Sequence, residues 1–124
     1  MLGVDTIVVV DGEIHGKPVD REHARRILRR LSARAHEVIS GLCLIEGVRA
    51  AEATARTTVR FRALSEPALD RYLQTGEWRE RAGGYAIQGR GALLVEEIAG
   101  DYLNVVGLPV AALVTLAPWL IDGD

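Results

Sequence analysis

Between Ala55 and Arg62 the chain alternates without a break. Ala55, Thr57, Val59 and Phe61 fall on one side, and Arg56, Thr58, Arg60 and Arg62 on the other. Only a strand, whose side chains change face at every residue, keeps those two sets apart. An apolar face backed by a cationic one predicts a half-buried strand in an antiparallel sheet. The fold must therefore supply partner strands, and the sequence offers them on the N-terminal side. "TIVVV" (Thr6 to Val10) is β-branched and continuously apolar, which predicts a strand buried on both faces. Asp11-Gly12 then signals a tight hairpin turn, with "EIHG" returning antiparallel. "HEVISGLCLIEG" reads as a further strand that ends in a turn near Glu46-Gly47.

Helical signals lie between and after these strands. Asp20 can cap a helix running to about Arg34, with Ala24, Ile27, Leu28 and Leu31 at helical spacing. Ser65, an early proline and Gly76 outline a second, shorter helix in "SEPALDRYLQTG". Downstream, "ALLVEEI" predicts a strand, "AGDYLNVVG" a turn and another short strand, and Pro109 the start of a final helix, "PVAALVTLAPWL". The order predicts one α/β domain over residues 1–124, a mixed and partly antiparallel sheet flanked by helices.

The composition narrows the function classes. Apolar residues make up 48% of the 124 and charged residues 26%, as in an ordinary globular domain. A net charge of −2 gives no general attraction to nucleic acid or an acidic membrane. The arginines of the first helix have no interleaved aromatics, so they read as a solvated face and not as a nucleic-acid patch. No stretch reaches the roughly 18 apolar residues of a membrane span, and no basic-then-apolar leader opens the chain. A cytoplasmic location is expected. The single Cys43, in an apolar run, reads as an inert thiol, and His15, His23 and His36 show no ligand spacing for a metal.

Among fifteen basic residues, Lys17 is the one lysine. Its setting, "GEIHGKP", is not a phosphate loop. Three residues, not four, separate Gly12 from Gly16, and Pro18 stands where a Ser or Thr would hold magnesium. A lone lysine in an arginine-rich chain can still be a compact phosphate-binding charge, or simply one loop residue. Asp5 leads into the strand whose hairpin returns toward Lys17, so the two can meet at one sheet end. Alone, Asp5 reads as a strand-end cap before it reads as a cation ligand or a proton acceptor. The glycine-rich "AGGYAIQGRG" either is a flexible loop or lets a ligand approach its backbone closely. Within it Gln88 offers the donor and acceptor that a nucleobase edge needs. Asn104, placed within an apolar run, reads as an internally satisfied polar group.

Taken together, "GVDTIVVVDGEIHGKP", "ARRILRRLSARAHEVISGL", "TTVRFRALS" and "AGGYAIQGRGALLVEEIAGDYLNVVGLP" resemble the Maf family of nucleoside triphosphate pyrophosphatases, first named for inhibition of septum formation. The resemblance implies an α/β fold shared with inosine triphosphatases. It also implies hydrolysis of a nucleoside triphosphate to monophosphate and pyrophosphate, with a divalent cation, magnesium or manganese. Carried over by position, Asp5 is the implied proton acceptor and metal ligand, and Lys17 the phosphate-neutralising lysine. Thr6 and Gln88 match positions of nucleotide choice in the subgroup acting on dTTP and UTP. Arg81 matches a phosphate-contacting lysine. A homodimer is expected, with no nucleic-acid or membrane partner. The family's opening strand and helix, with its "SxSPRR" element, have no counterpart here, so the domain is expected to be incomplete at its N-terminus and weakly active or inactive. The alternative is a non-catalytic nucleotide-binding or cell-division regulatory remnant.

Overall fold

The computed structural model describes residues 1–123. Five strands form one sheet in the order β2-β1-β3-β4-β5. They are β1 (Leu2–Val10), β2 (Glu13–His15), β3 (Ala35–Glu46), β4 (Arg49–Phe61) and β5 (Val95–Ala99). Every pairing is antiparallel. The sheet flanked by helices is as expected, but the mixed character is absent from it, because each neighbour follows by a hairpin or by an antiparallel return.

Asp11 and Gly12 both take positive φ, 48° and 79°, which is the backbone a two-residue hairpin turn requires. Helix α1 (Arg21–Leu31) starts where Asp20 accepts the N–H of His23 at 2.7 Å. That cap contributes about 1 kcal/mol. Ala24, Ile27, Leu28 and Leu31 are buried, as their spacing predicts. Ser65 caps α2 (Glu66–Leu73) through the N–H of Ala68.

The core lies on one face of the sheet. Val8 and Val10 of β1, Val38 of β3, and Val59 and Phe61 of β4 pack with the apolar faces of α1 and α2 and with Trp78, Tyr85 and Ile87. Each large side chain so buried stabilises by about 1.5–3 kcal/mol. The alternation at 55–62 is thereby explained: Thr57, Val59 and Phe61 are buried while Arg56, Thr58, Arg60 and Arg62 are exposed. On the opposite face Ile7, Val9 and Ile39 are only half-buried. The strand buried on both faces, expected of "TIVVV", is thus packed fully on one face. In this sheet the helices cover one layer alone.

After α2 the structure departs from the strand reading. Ala82–Gly84 and Arg90–Leu94 are 3-10 turns, so the strand expected from Ala92 begins at Val95. "DYLNVV" is not a strand but a short helix, α3 (Tyr102–Val106). Asp101 caps it by accepting the N–H of Leu103, and Gly107 ends it at φ 128°. The last helix divides into α4 (Val110–Leu116) and α5 (Trp119–Asp122) at Pro118, which has no N–H to continue the ladder.

Candidate functional site

β1 is paired with β3 from Leu2 to Val9, but with β2 only from Val8 to Val10. Its outer edge before Val8 therefore opens on a cleft of about 220 Å³. The five residues singled out in the sequence, Asp5, Thr6, Lys17, Arg81 and Gln88, all line it. Val105, Val106 and Gly107, from the end of α3, complete a wall.

Consecutive strand residues point to opposite faces. Thr6 is on the packed face, where its Oγ1 lies 2.9 Å from the Oγ of fully buried Ser40. Asp5 belongs to the other side of β1 and is exposed. The cleft takes in both because it wraps the free edge of the strand. Lys17 lies two residues beyond β2, not on it. A backbone bond fixes its neighbourhood: Gly83 N–H donates to the carbonyl of Gly16 at 3.1 Å, which brings the Arg81 segment against the lysine loop. Gly83 has φ 76°, and a Cβ there would stand 2.8 Å from Val8 Cγ2, so the approach needs glycine.

Lys17 shares the cleft with Asp5 but forms its ion pair with Glu80, Nζ to Oε2 at 3.8 Å. Both partners are exposed, so that pair holds its geometry weakly. Glu80 itself sits at φ 59°, a left-handed backbone at a residue other than glycine. Arg81 is exposed and forms no ion pair among the described residues. Neither Arg60 nor Arg62 lines the cleft.

Behind the cleft lies a buried polar pair. The His36 ring Nε2 is 2.7 Å from the Tyr85 hydroxyl, and both rings meet Phe61 edge-to-face at 5.0 and 4.8 Å. Burial lowers the His36 pKa to about 4 and raises that of Tyr85. His36 is thus a neutral floor element and not a proton carrier at neutral pH. Asn104, on α3, donates through Nδ2 to the Val38 carbonyl at 3.1 Å and to Thr57 Oγ1 at 3.0 Å. It is fully buried and docks the helix that walls the cleft.

Sequence reasoning missed Glu80, Ser40, the His36–Tyr85 pair and the α3 wall. For α3 a signal existed, since Asp101 and Gly107 bracket the run as a cap and a stop. For Ser40 and His36 there was none, because their roles follow from which strands pair.

An α/β layer with cationic and carboxylate side chains gathered at an open sheet edge defines a small cleft-bearing protein. The chain belongs to the Maf family: the profile described as "Maf-like protein" matches residues 1–118. It is 50% identical over 116 residues to the dTTP/UTP pyrophosphatase of Pyrococcus furiosus, covering 94% of this chain and 61% of that protein. The protein of the same name from Symbiobacterium thermophilum is 52% identical over 110 residues, covering 89% and 57%. That from Clostridioides difficile is 49% identical over 116 residues, covering 91% and 59%. The chain therefore spans about three fifths of the length of the curated relatives it matches.

Proposed function

We propose that this protein is a nucleoside triphosphate pyrophosphatase acting on dTTP and UTP. The observation that carries the reading is the meeting, in one cleft, of Asp5, Thr6, Lys17, Arg81 and Gln88. The names of the relatives support the choice of substrate. Water attacks the α-phosphorus, the bond to the bridging oxygen of the β-phosphate breaks, and pyrophosphate leaves. Asp5, exposed at the sheet edge, takes the proton from that water. Lys17 and Arg81 offset the charge that gathers on the phosphate oxygens. Thr6 and Gln88 select the base, with the Gln88 amide offering a donor and an acceptor to a pyrimidine edge.

A divalent cation of the magnesium or manganese kind fits the donor set. Among the described residues no group of three His, Cys, Asp or Glu side chains could hold a metal alone. An exposed Asp5 carboxylate shared with triphosphate oxygens is the usual arrangement for magnesium. Such an ion would neutralise phosphate charge.

A homodimer belongs to the same reading, supported by Trp119, Leu120 and Ile121, which stand exposed near the chain's end. So does a cytoplasmic location, where nucleoside triphosphates are held; among the described residues, no helix is long and apolar enough to cross a membrane.

Pyrophosphate release from dTTP and UTP tests the reading. Turnover is expected to vanish in Asp5→Asn and to fall at least about a hundredfold in Lys17→Ala. Binding of dTTP without release of pyrophosphate would instead leave a nucleotide-binding protein.

A further inference from the structure

The loop that presents Gln88 is held from behind by a carboxylate outside the cleft. Ala86 N–H donates to the Tyr72 hydroxyl oxygen at 2.9 Å, and that hydroxyl donates to Glu77 Oε1 at 3.2 Å. The other end of the loop reaches the same carboxylate. Arg90 N–H donates to Oε2 at 2.9 Å and Gly91 N–H to Oε1 at 3.2 Å. Between them Gly89 N–H closes a turn on the Ala86 carbonyl at 3.1 Å. Entry and exit of the segment from Ala86 to Gly91 are therefore tied to one side chain.

Three further observations show that the loop is shaped around this carboxylate. A Cβ on Gly89 would come within 2.4 Å of Glu77 Oε2, and one on Gly91 within 2.3 Å of the Ala86 carbonyl oxygen. Glu77 forms no ion pair among the described residues; its charge is met by two backbone N–H groups and the Tyr72 hydroxyl, with a smaller attraction from the Arg90 charge. Burial pushes its pKa up, but these donors outweigh burial and hold it below the usual carboxylate value, so it is ionised at neutral pH. Gln88, in contrast, is exposed, and among the described residues no group hydrogen-bonds to its amide. Only the backbone beneath it sets its direction.

We propose that Glu77 is a positioning residue for base selection: by clamping both ends of the Ala86–Gly91 loop it fixes the line along which the Gln88 amide meets a pyrimidine edge. The base-reading part rests on the proposed function; the clamp does not. A site that hydrogen-bonds its substrate through a fixed amide discriminates strongly, and one on a mobile loop does not.

Glu77→Gln turns one acceptor into an N–H facing another N–H. Its kcat/KM ratio for dTTP over dGTP is expected to fall about tenfold, through KM for dTTP and with kcat largely kept. Amide exchange at Arg90 and Gly91 is expected to quicken about tenfold or more, while Val38 and Val59 keep their protection. Gly89→Ala retains Glu77 but drives its carboxylate aside, and should reproduce both effects if Glu77→Gln fails to fold. An unchanged nucleotide ratio in either folded variant overturns the proposal, as does an equal loss of turnover on every nucleotide. A wild-type protein that hydrolyses no nucleoside triphosphate overturns the proposed function and the base-reading role. The clamp itself is then decided by the exchange rates, and unchanged rates in Glu77→Gln would refute it.

Discussion

The His36 Nε2 stands 2.7 Å from the Tyr85 hydroxyl beneath the cleft floor, in a setting that leaves the imidazole 2% exposed. One polar contact in an aromatic cluster thus joins β3 to the glycine-rich segment that carries Gln88.

Stability should fall with acid through that pair. His36 has a folded pKa of about 4, below the ordinary value of 6.5, so the unfolded chain binds the proton first. The stabilising difference is complete above pH 6.5 and is lost as pH falls toward 4, by about 3 kcal/mol in all. Urea unfolding at pH 7, 5.5 and 4 measures it. In His36→Phe the slope across that window should be much shallower, and an unchanged slope would assign the loss to other groups.

Asn104→Ala should destabilise by about 2–3 kcal/mol, because the donors to the Val38 carbonyl and to Thr57 Oγ1 disappear from a fully buried position. Chemical denaturation monitored by tryptophan fluorescence reads the change. A loss within about 0.5 kcal/mol would mean that α3 is docked by other contacts.

Two glycine substitutions should separate. In Gly91→Ala the new Cβ meets a backbone oxygen at 2.3 Å, and about 1–3 kcal/mol is expected to be lost. Gly41→Ala meets nothing within 4 Å on β3 and should be neutral or gain up to about 1 kcal/mol. Thermal melts of the two variants side by side suffice.

Removing the charge on Glu80 should release Lys17. The 3.8 Å pair competes with any anion that binds in the cleft. Glu80→Gln is therefore expected to lower KM for dTTP about threefold at low salt, with the difference closing as salt rises. A KM that rises would make Glu80 a contributor to binding and not a competitor.

The sheet was legible where its period was strict. Thr57, Val59 and Phe61 could be assigned to the core because arginines marked the other face, and Asp11-Gly12 announced its own turn. The all-antiparallel pairing was not, since nothing local in "ALLVEEI" says which edge it joins. The valines of "DYLNVV" suggested a strand, yet Asp101 and Gly107 close the run as a helix too short to show a period. Asp5, Thr6, Lys17, Arg81 and Gln88 were named from sequence, and the cleft collects them. Glu80 and Glu77 were not, because an ordinary glutamate acquires its part only from the neighbour the fold supplies.

The Gln88 loop divides into a portion closed to change and a portion open to it. Gly91 has no room for a side chain, while nothing among the described residues bonds to the Gln88 amide. On the proposed role of Gln88 in reading the base, a single codon at position 88 would alter which nucleotide a descendant prefers, with the frame around it untouched. Drift in the frame, in contrast, would erase preference before creating a new one. In lineages built on this loop, substrate range should diversify at one site and stay quiet at its neighbours.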